Sequence, residues 1–347
     1  MLGLAIGDAL GQPFEFSSAH QIIQSGWDGS MTYGDIWKLE PGQWTDDTKM
    51  ALCIAESLLE KGRFDINSVS QKYVEWLDSG DLRGIGGTCL TSIRRIKMGH
   101  DPLKCGGRYV KDAITFTRSS DESSDVADRL GIDENWVSEM RSKKNKARTL
   151  YAGEDEDLYG IGDFCGNGTL MRCAPIGLFY NRDSGQRDKA ATDDATMTHD
   201  HPDARDSSKF LCSVVADLAN DWELRPAIDN AMLKSYEYDH VPRLVKKAID
   251  LADTNESTFA NAIELGNTGT AHGTLATSVF ACLKYNSFRE AVTAAVLIGG
   301  DTDTRGAVTG AIAGTVYGLR GIPAEWVEVL EDSDRLQDID TRLKNGS

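Results

Sequence analysis

The chain has 347 residues, 40% of them hydrophobic and 26% charged, enough for a buried core and no large disordered share. Its 54 acidic against 37 basic residues leave a net charge of −17, which excludes a surface built to wrap nucleic acid or to lie on an anionic membrane. An anionic small ligand stays admissible where cations or helix N-termini supply a local positive field.

The chain opens Met1-Leu2-Gly3-Leu4-Ala5-Ile6-Gly7-Asp8, without the basic start of a signal peptide. Gly3, Gly7 and Gly11 recur every fourth residue, a smooth stripe on one helical face. Met50, Ile54 and Leu58 keep helical spacing, as do Val69, Tyr73, Trp76 and Leu77 further on. Residues 111–160 read as a surface insertion, because serine-acid, lysine-rich and acidic blocks follow one another there. Helical spacing returns at Phe210, Val214 and Leu218, in 287–298 and in 324–330. Gly306, Gly310, Gly314 and Gly318 form a second glycine stripe, overlapping a weakly polar run (307–319) too short to span a bilayer. Alternating strand patterns are hard to find. The expected fold is therefore all-α and single-domain, its two glycine-striped terminal helices central and packed on each other. Seven dispersed cysteines with no CxxC pair fit reduced thiols in the cytoplasm.

Two acidic clusters stand directly before helical segments: Thr45-Asp46-Asp47-Thr48, and Gly299-Gly300-Asp301-Thr302-Asp303-Thr304. Capping accounts for each alone, with Thr45 as N-cap and acids in the first turn. Together they offer four carboxylates and several hydroxyls, the oxygen donors that hard divalent ions require, and four negative charges balance two such ions. A calcium EF-hand fails: Gly306 suits its sixth position, but Arg305 and Ile312 stand where an acid or amide and a Glu are required. A haloacid-dehalogenase-type phosphatase fails too, because the residues after Thr304 are too few for an α/β domain. Gly166-Asn167-Gly168 reads as a helix-opening turn or as a nest for phosphate or ribose oxygens. His199-Asp200-His201 has no third His or Cys nearby in sequence, so His199 suits a nucleotide contact better than a zinc ligand.

Taken in order, Gly3–Phe16, Gly42–Ala51, Gly166–Leu178, Thr198–Ala204 and Gly299–Gly318 resemble the ADP-ribosylglycohydrolase family, over nearly the whole chain. The resemblance implies one helical domain over 1–335 with a C-terminal tail at 336–347, and two cations, Mg²⁺ or Mn²⁺, held by Thr45, Asp46, Asp47, Asp301, Asp303 and Thr304. It implies Glu15, Asp47 and Asp303 as catalytic residues. Gly166, Asn167, Gly168, Met171 and His199 would hold ADP-ribose. The implied partner is an ADP-ribosylated protein or small ADP-ribosyl conjugate, met by a monomer without nucleic acid or membrane. Where many relatives carry Asp-Ile-Gly, this chain has Gly84-Ile85-Gly86. Arginine is the slightly favoured acceptor, recognised through Asp78 or Asp81 instead. The competing reading is a catalytically silent, ADP-ribose-binding or structural relative; the presence of all six ligands and Glu15 speaks for the hydrolase.

Overall fold

The computed structural model describes residues 1–106, 165–254, 262–266 and 269–345. The insertion expected at 111–160 lies outside them. Helix α1 (Leu2–Gly11) is buried along its whole length. The short α2 (Ala19–Gln24) opens on a capping box made by Ser18 and Gln21. Helix α3 (Asp46–Lys61) buries Met50, Ile54 and Leu58 completely and stops at Gly62, whose left-handed backbone admits glycine most easily. Asp65 caps α4 (Ile66–Ser79), whose inner face is Val69, Tyr73 and Trp76, and α5 (Gly87–Lys97) follows.

Past the gap come α6 (Ala174–Phe179), α7 (Ser184–Thr198), α8 (Pro202–Ala219), α9 (Leu224–Met232) and α10 (His240–Asp253). They are followed by α11 (Ala271–Lys284), α12 (Phe288–Leu297), α13 (Thr302–Gly321), α14 (Ala324–Val329) and α15 (Ser333–Lys344). Each segment expected to be helical from its spacing lies in one of these helices, to within a residue at either end. The strands among the described residues are two-residue pieces, β1 (Ser17–Ser18) and β2 (Gly299–Gly300), paired antiparallel with Ser17 opposite Gly300. None of the described helices is long and apolar enough to cross a membrane.

The two glycine stripes meet. A Cβ on Gly3 would strike Gly310, one on Gly7 the Gly306 carbonyl, and one on Gly11 the Thr302 carbonyl. Helices α1 and α13 thus run antiparallel in backbone contact, at a separation that only bare glycine allows. This seam brings the end of α1 to the start of α13, where the second acidic cluster lies. Gly318 departs from the expected stripe: it kinks α13 with φ +61° and faces open space.

The expected C-terminal tail is corrected as well. Residues 336–344 belong to α15, which buries Leu336, Ile339 and Leu343 against the core. Each buried aliphatic side chain of this kind contributes roughly 1.5–3 kcal/mol of transfer free energy. Asp340 also accepts the backbone nitrogens of Met1 (2.6 Å) and Leu2 (2.9 Å), fastening α15 to the start of α1.

Candidate active site

The first acidic cluster sits at the N-terminus of α3. Thr45 occupies the N-cap position as expected, yet its side chain does not cap the helix. The cap comes from Asp8, a residue of α1. Its fully buried carboxylate accepts the Thr45 N–H (3.0 Å), the Thr45 hydroxyl (2.9 Å), the Thr48 N–H (3.0 Å) and the Thr48 hydroxyl (2.6 Å). Asp46 and Asp47 follow in the first turn, both buried. Thr45 Oγ1 also lies 3.3 Å from Asp47 Oδ2.

The second cluster begins α13. Asp301 is at its N-cap position without capping it through the side chain, and the Thr302 hydroxyl donates to the Gly11 carbonyl at 2.7 Å. Asp303 and Thr304 are buried in the first turn, where Thr304 N–H donates to Asp303 Oδ1 at 2.9 Å. Left-handed turns at Gly299 and Gly300 (φ +80° and +81°) and the β1–β2 pair hold this turn against Phe16, whose N–H donates to the Gly300 carbonyl at 2.7 Å. Glu15 is placed by the same contact. Its carboxylate accepts the indole N–H of Trp37.

The clusters, 254 residues apart from Asp47 to Asp301, converge. Burial, then the charges of Asp8 and Asp301, pushes Asp46 up to about 8. Asp47 is raised well above the usual carboxylate range by burial, then by Asp8, Asp46 and Asp301. Asp303 is raised well above it by burial, then by Glu15, Asp47, Asp301 and Asp8. Such repulsion in a dry site costs free energy unless protons or cations neutralise it. Asp47 Oδ1 is buried without a hydrogen-bond partner, an open acceptor inside the cluster. Among the described residues no three His, Cys, Asp or Glu side chains are drawn together as a ready-made coordination shell. The donor chemistry nonetheless fits hard divalent ions: carboxylate and hydroxyl oxygens, excess negative charge and one orphaned buried oxygen.

The Gly166-Asn167-Gly168 segment is not the start of a long helix. It makes a single 3₁₀ turn (Asn167–Thr169), and its Asn is turned inward. Asn167 Nδ2 donates to Asp301 Oδ2 (3.1 Å) and Thr274 Oγ1 (3.0 Å), while its backbone N–H donates to Gly269 (2.9 Å). The buried His199 ring lies against Gly166 and Gly168, leaving no room for a Cβ at either. Burial, then Arg172, pulls His199 down to about 3, so the ring is neutral. The Thr304 hydroxyl faces Met171 Sδ at 3.9 Å. Arg172, which ends the motif, is buried and pairs with Asp194 (3.0 Å), so it serves the core.

Around this centre the structure brings together all six expected ligands, Glu15, Asn167 and Met171, with His199 packed on the adjoining glycines. It does not supply free carboxylates at Asp78 and Asp81. Asp81 pairs with Arg83 (2.8 Å) and Asp78 with Lys97 (2.5 Å). Gly84, with φ +84°, lies so close to the site that a Cβ there would be 2.5 Å from Asp46 Oδ1. Sequence alone assigns no role to Asp8 or Trp37, and none to Thr48 beyond its place in the first cluster. For Asp8 a signal existed, since a charge inside an otherwise apolar, glycine-striped helix needs a buried partner.

Fold and site together define an all-helical domain built round a buried carboxylate centre at the meeting of α1, α3 and α13. The ADP-ribosylglycohydrolase family model matches residues 1–347, and the chain belongs to that family. It is 27% identical to the ADP-ribosylarginine hydrolase Tri1 of Serratia proteamaculans, over 99% of this chain and 77% of the relative. It is 25% identical to the ADP-ribosyl-[dinitrogen reductase] glycohydrolase of Rhodospirillum rubrum, over 95% of this chain and 88% of the relative. The human ADP-ribosylhydrolase ARH3 is 23% identical over 95% of this chain and 88% of its own length. A solved ADP-ribosylglycohydrolase-related protein complex superposes with a TM-score of 0.64 at 27% identity, covering 100% of this chain and 95% of the other.

Proposed function

We propose that the protein is a metal-dependent hydrolase that cleaves the glycosidic bond between ADP-ribose and a modified acceptor, reversing ADP-ribosylation. The observation that carries this reading is the convergence of two distant carboxylate clusters about the unpartnered, buried Asp47 Oδ1. Family membership and relatives named for ADP-ribosyl hydrolysis support the choice of substrate.

Two divalent cations, Mg²⁺ or Mn²⁺, would be held by Thr45, Asp46, Asp47, Asp301, Asp303 and Thr304. Bound there they would polarise the scissile bond and lower the pKa of the attacking water. Asn167 fixes Asp301, and Asp8 fixes Thr45, so these two oxygen donors are oriented before ligand arrives. His199 offers a neutral flat ring beside the glycine turn for the nucleotide, and Met171 an apolar wall beside Thr304. In the reaction a water oxygen bonds to the anomeric carbon, the carbon–acceptor bond breaks, and the acceptor atom leaves with that electron pair, while the water gives up one proton that replaces the one passed to the acceptor. Glu15, held by Trp37 and close enough to raise the pKa of Asp303, is the group assigned to deliver the acceptor's proton.

Arginine-linked ADP-ribose is the acceptor to test first, on the strength of the Serratia relative's name and of a net chain charge of −17, which favours a cationic acceptor. The decisive experiment incubates the protein with arginine- and serine-linked ADP-ribosyl peptides, with EDTA and then with Mg²⁺ or Mn²⁺ restored. Release of ADP-ribose that chelation abolishes and Mg²⁺ or Mn²⁺ restores is expected. Full turnover in excess EDTA would remove the metal-dependent reading, and no release from any peptide would favour a silent relative.

A further inference from the structure

We infer that Asp8 is a positioning residue that sets the affinity of the centre for divalent cations, acting through Thr45 and the first turn of α3; this rests on the metal reading proposed above. Asp8 is held rigidly. It lies between Gly7 and Gly11, two of the three positions at which α1 presses backbone to backbone on α13, so it cannot shift without breaking that seam. From there its two oxygens gather four hydrogen bonds from Thr45 and Thr48. A cap supplied by α3 itself would move with α3. One supplied from α1 locks α3 to the helix that is already locked to α13, and so fixes the first carboxylate cluster relative to the second.

The chemistry of the Thr45 hydroxyl adds a second consequence. A hydroxyl oxygen coordinates a cation through a lone pair, so its single hydrogen must be directed elsewhere. Asp8 Oδ1 accepts that hydrogen at 2.9 Å, which leaves the lone pairs available to a cation.

The test is a Mn²⁺ titration of the full-length, metal-stripped protein, with free Mn²⁺ read by electron paramagnetic resonance and the fold checked by circular dichroism. Wild type should bind two ions. D8N has nearly the same shape but lacks the charge and one acceptor oxygen; it should still bind two ions, roughly 10- to 100-fold more weakly, as for other groups that orient metal ligands. D47N, which removes a ligand, should instead lower the stoichiometry. If D8N does not fold, T48V decides: it keeps Asp8, removes its shortest hydrogen bond, and should weaken binding roughly three- to tenfold. A Mn²⁺ affinity within about twofold of wild type, in D8N or in T48V should D8N be unfolded, overturns the assignment, because a purely structural cap lowers stability without moving this readout. Failure of the wild type itself to bind Mn²⁺ is a different result; it removes the metal reading and this inference with it.

Discussion

At the scale of single residues the carboxylates set the behaviour. Asp8 is raised to about 6 by burial, against the lowering from its four hydrogen bonds, and Asp46 to about 8, with Asp47 and Asp303 also raised. A carboxyl whose folded pKa exceeds its unfolded value stabilises the fold at low pH, and that contribution is lost as pH rises through the folded value. The metal-free protein should therefore melt at a lower temperature at pH 8.5 than at pH 5, with saturating Mg²⁺ or Mn²⁺ narrowing the difference. Thermal melts in EDTA across that range check this, and a melting temperature that climbs with pH would contradict it. Asp303→Asn removes one repelling charge. It should cut hydrolysis by roughly a hundredfold or more while leaving the metal-free melting temperature at pH 8 unchanged or higher, since less repulsion offsets a lost ligand. The donors of the centre were legible in the sequence because Thr-Asp-Asp and Asp-Thr-Asp-Thr are unusual runs. Their supports were not. Asp8 reaches Thr45 and Thr48 across the fold, and Asn167 reaches Asp301 from a distant turn. No local spacing encodes such partners.

At the scale of elements the α1–α13 seam decides. Both stripes were visible as a four-residue repeat, and their pairing followed because each needs a partner that comes equally close. What spacing could not give was the antiparallel register, Gly3 on Gly310 and Gly7 on Gly306, or the kink at Gly318. The helix of the last segment was missed for another reason. Leu336, Ile339 and Leu343 keep helical spacing, but they stand among charged residues whose exposed face dominates the composition. Gly7→Ala forces a methyl group into the Gly306 carbonyl, and neither backbone can yield without moving the active-site turns. It should destabilise the fold by about 3 kcal/mol or more in urea denaturation. Gly185→Ala, at an open position in the first turn of α7, is the contrasting case and should be neutral or stabilising by about 0.5 kcal/mol. Equal costs for the two would mean that the seam is not close-packed in solution.

At the scale of the whole molecule, a net charge of −17 opposes a diphosphate ligand unless local features at the site offset it. Much of the acidic surface is compensated locally, as in the pairs Arg225–Asp253, Lys234–Asp188 and Arg205–Glu237. Such exposed pairs contribute little to stability and are screened by salt. Asp46, Asp47 and Asp303 differ from these pairs: they lie buried together, where low dielectric strengthens their mutual repulsion. With cations in place that centre changes from repelling to attracting an anion, so ligand affinity and metal content should be coupled. ADP-ribose should raise the melting temperature in Mg²⁺, by an amount equivalent to about 2.7 kcal/mol at a hundredfold excess over its Kd. In EDTA the same concentration should do little, because without cations nothing at the centre attracts a diphosphate. AMP lacks the distal ribose that the two clusters would orient, so its effect in Mg²⁺ should be much smaller than that of ADP-ribose. Thermal shift and calorimetry, run as a two-by-two comparison of ligand and metal, measure all four cases. Equal stabilisation by AMP and ADP-ribose, or an ADP-ribose effect indifferent to EDTA, would place the ligand away from the carboxylate centre.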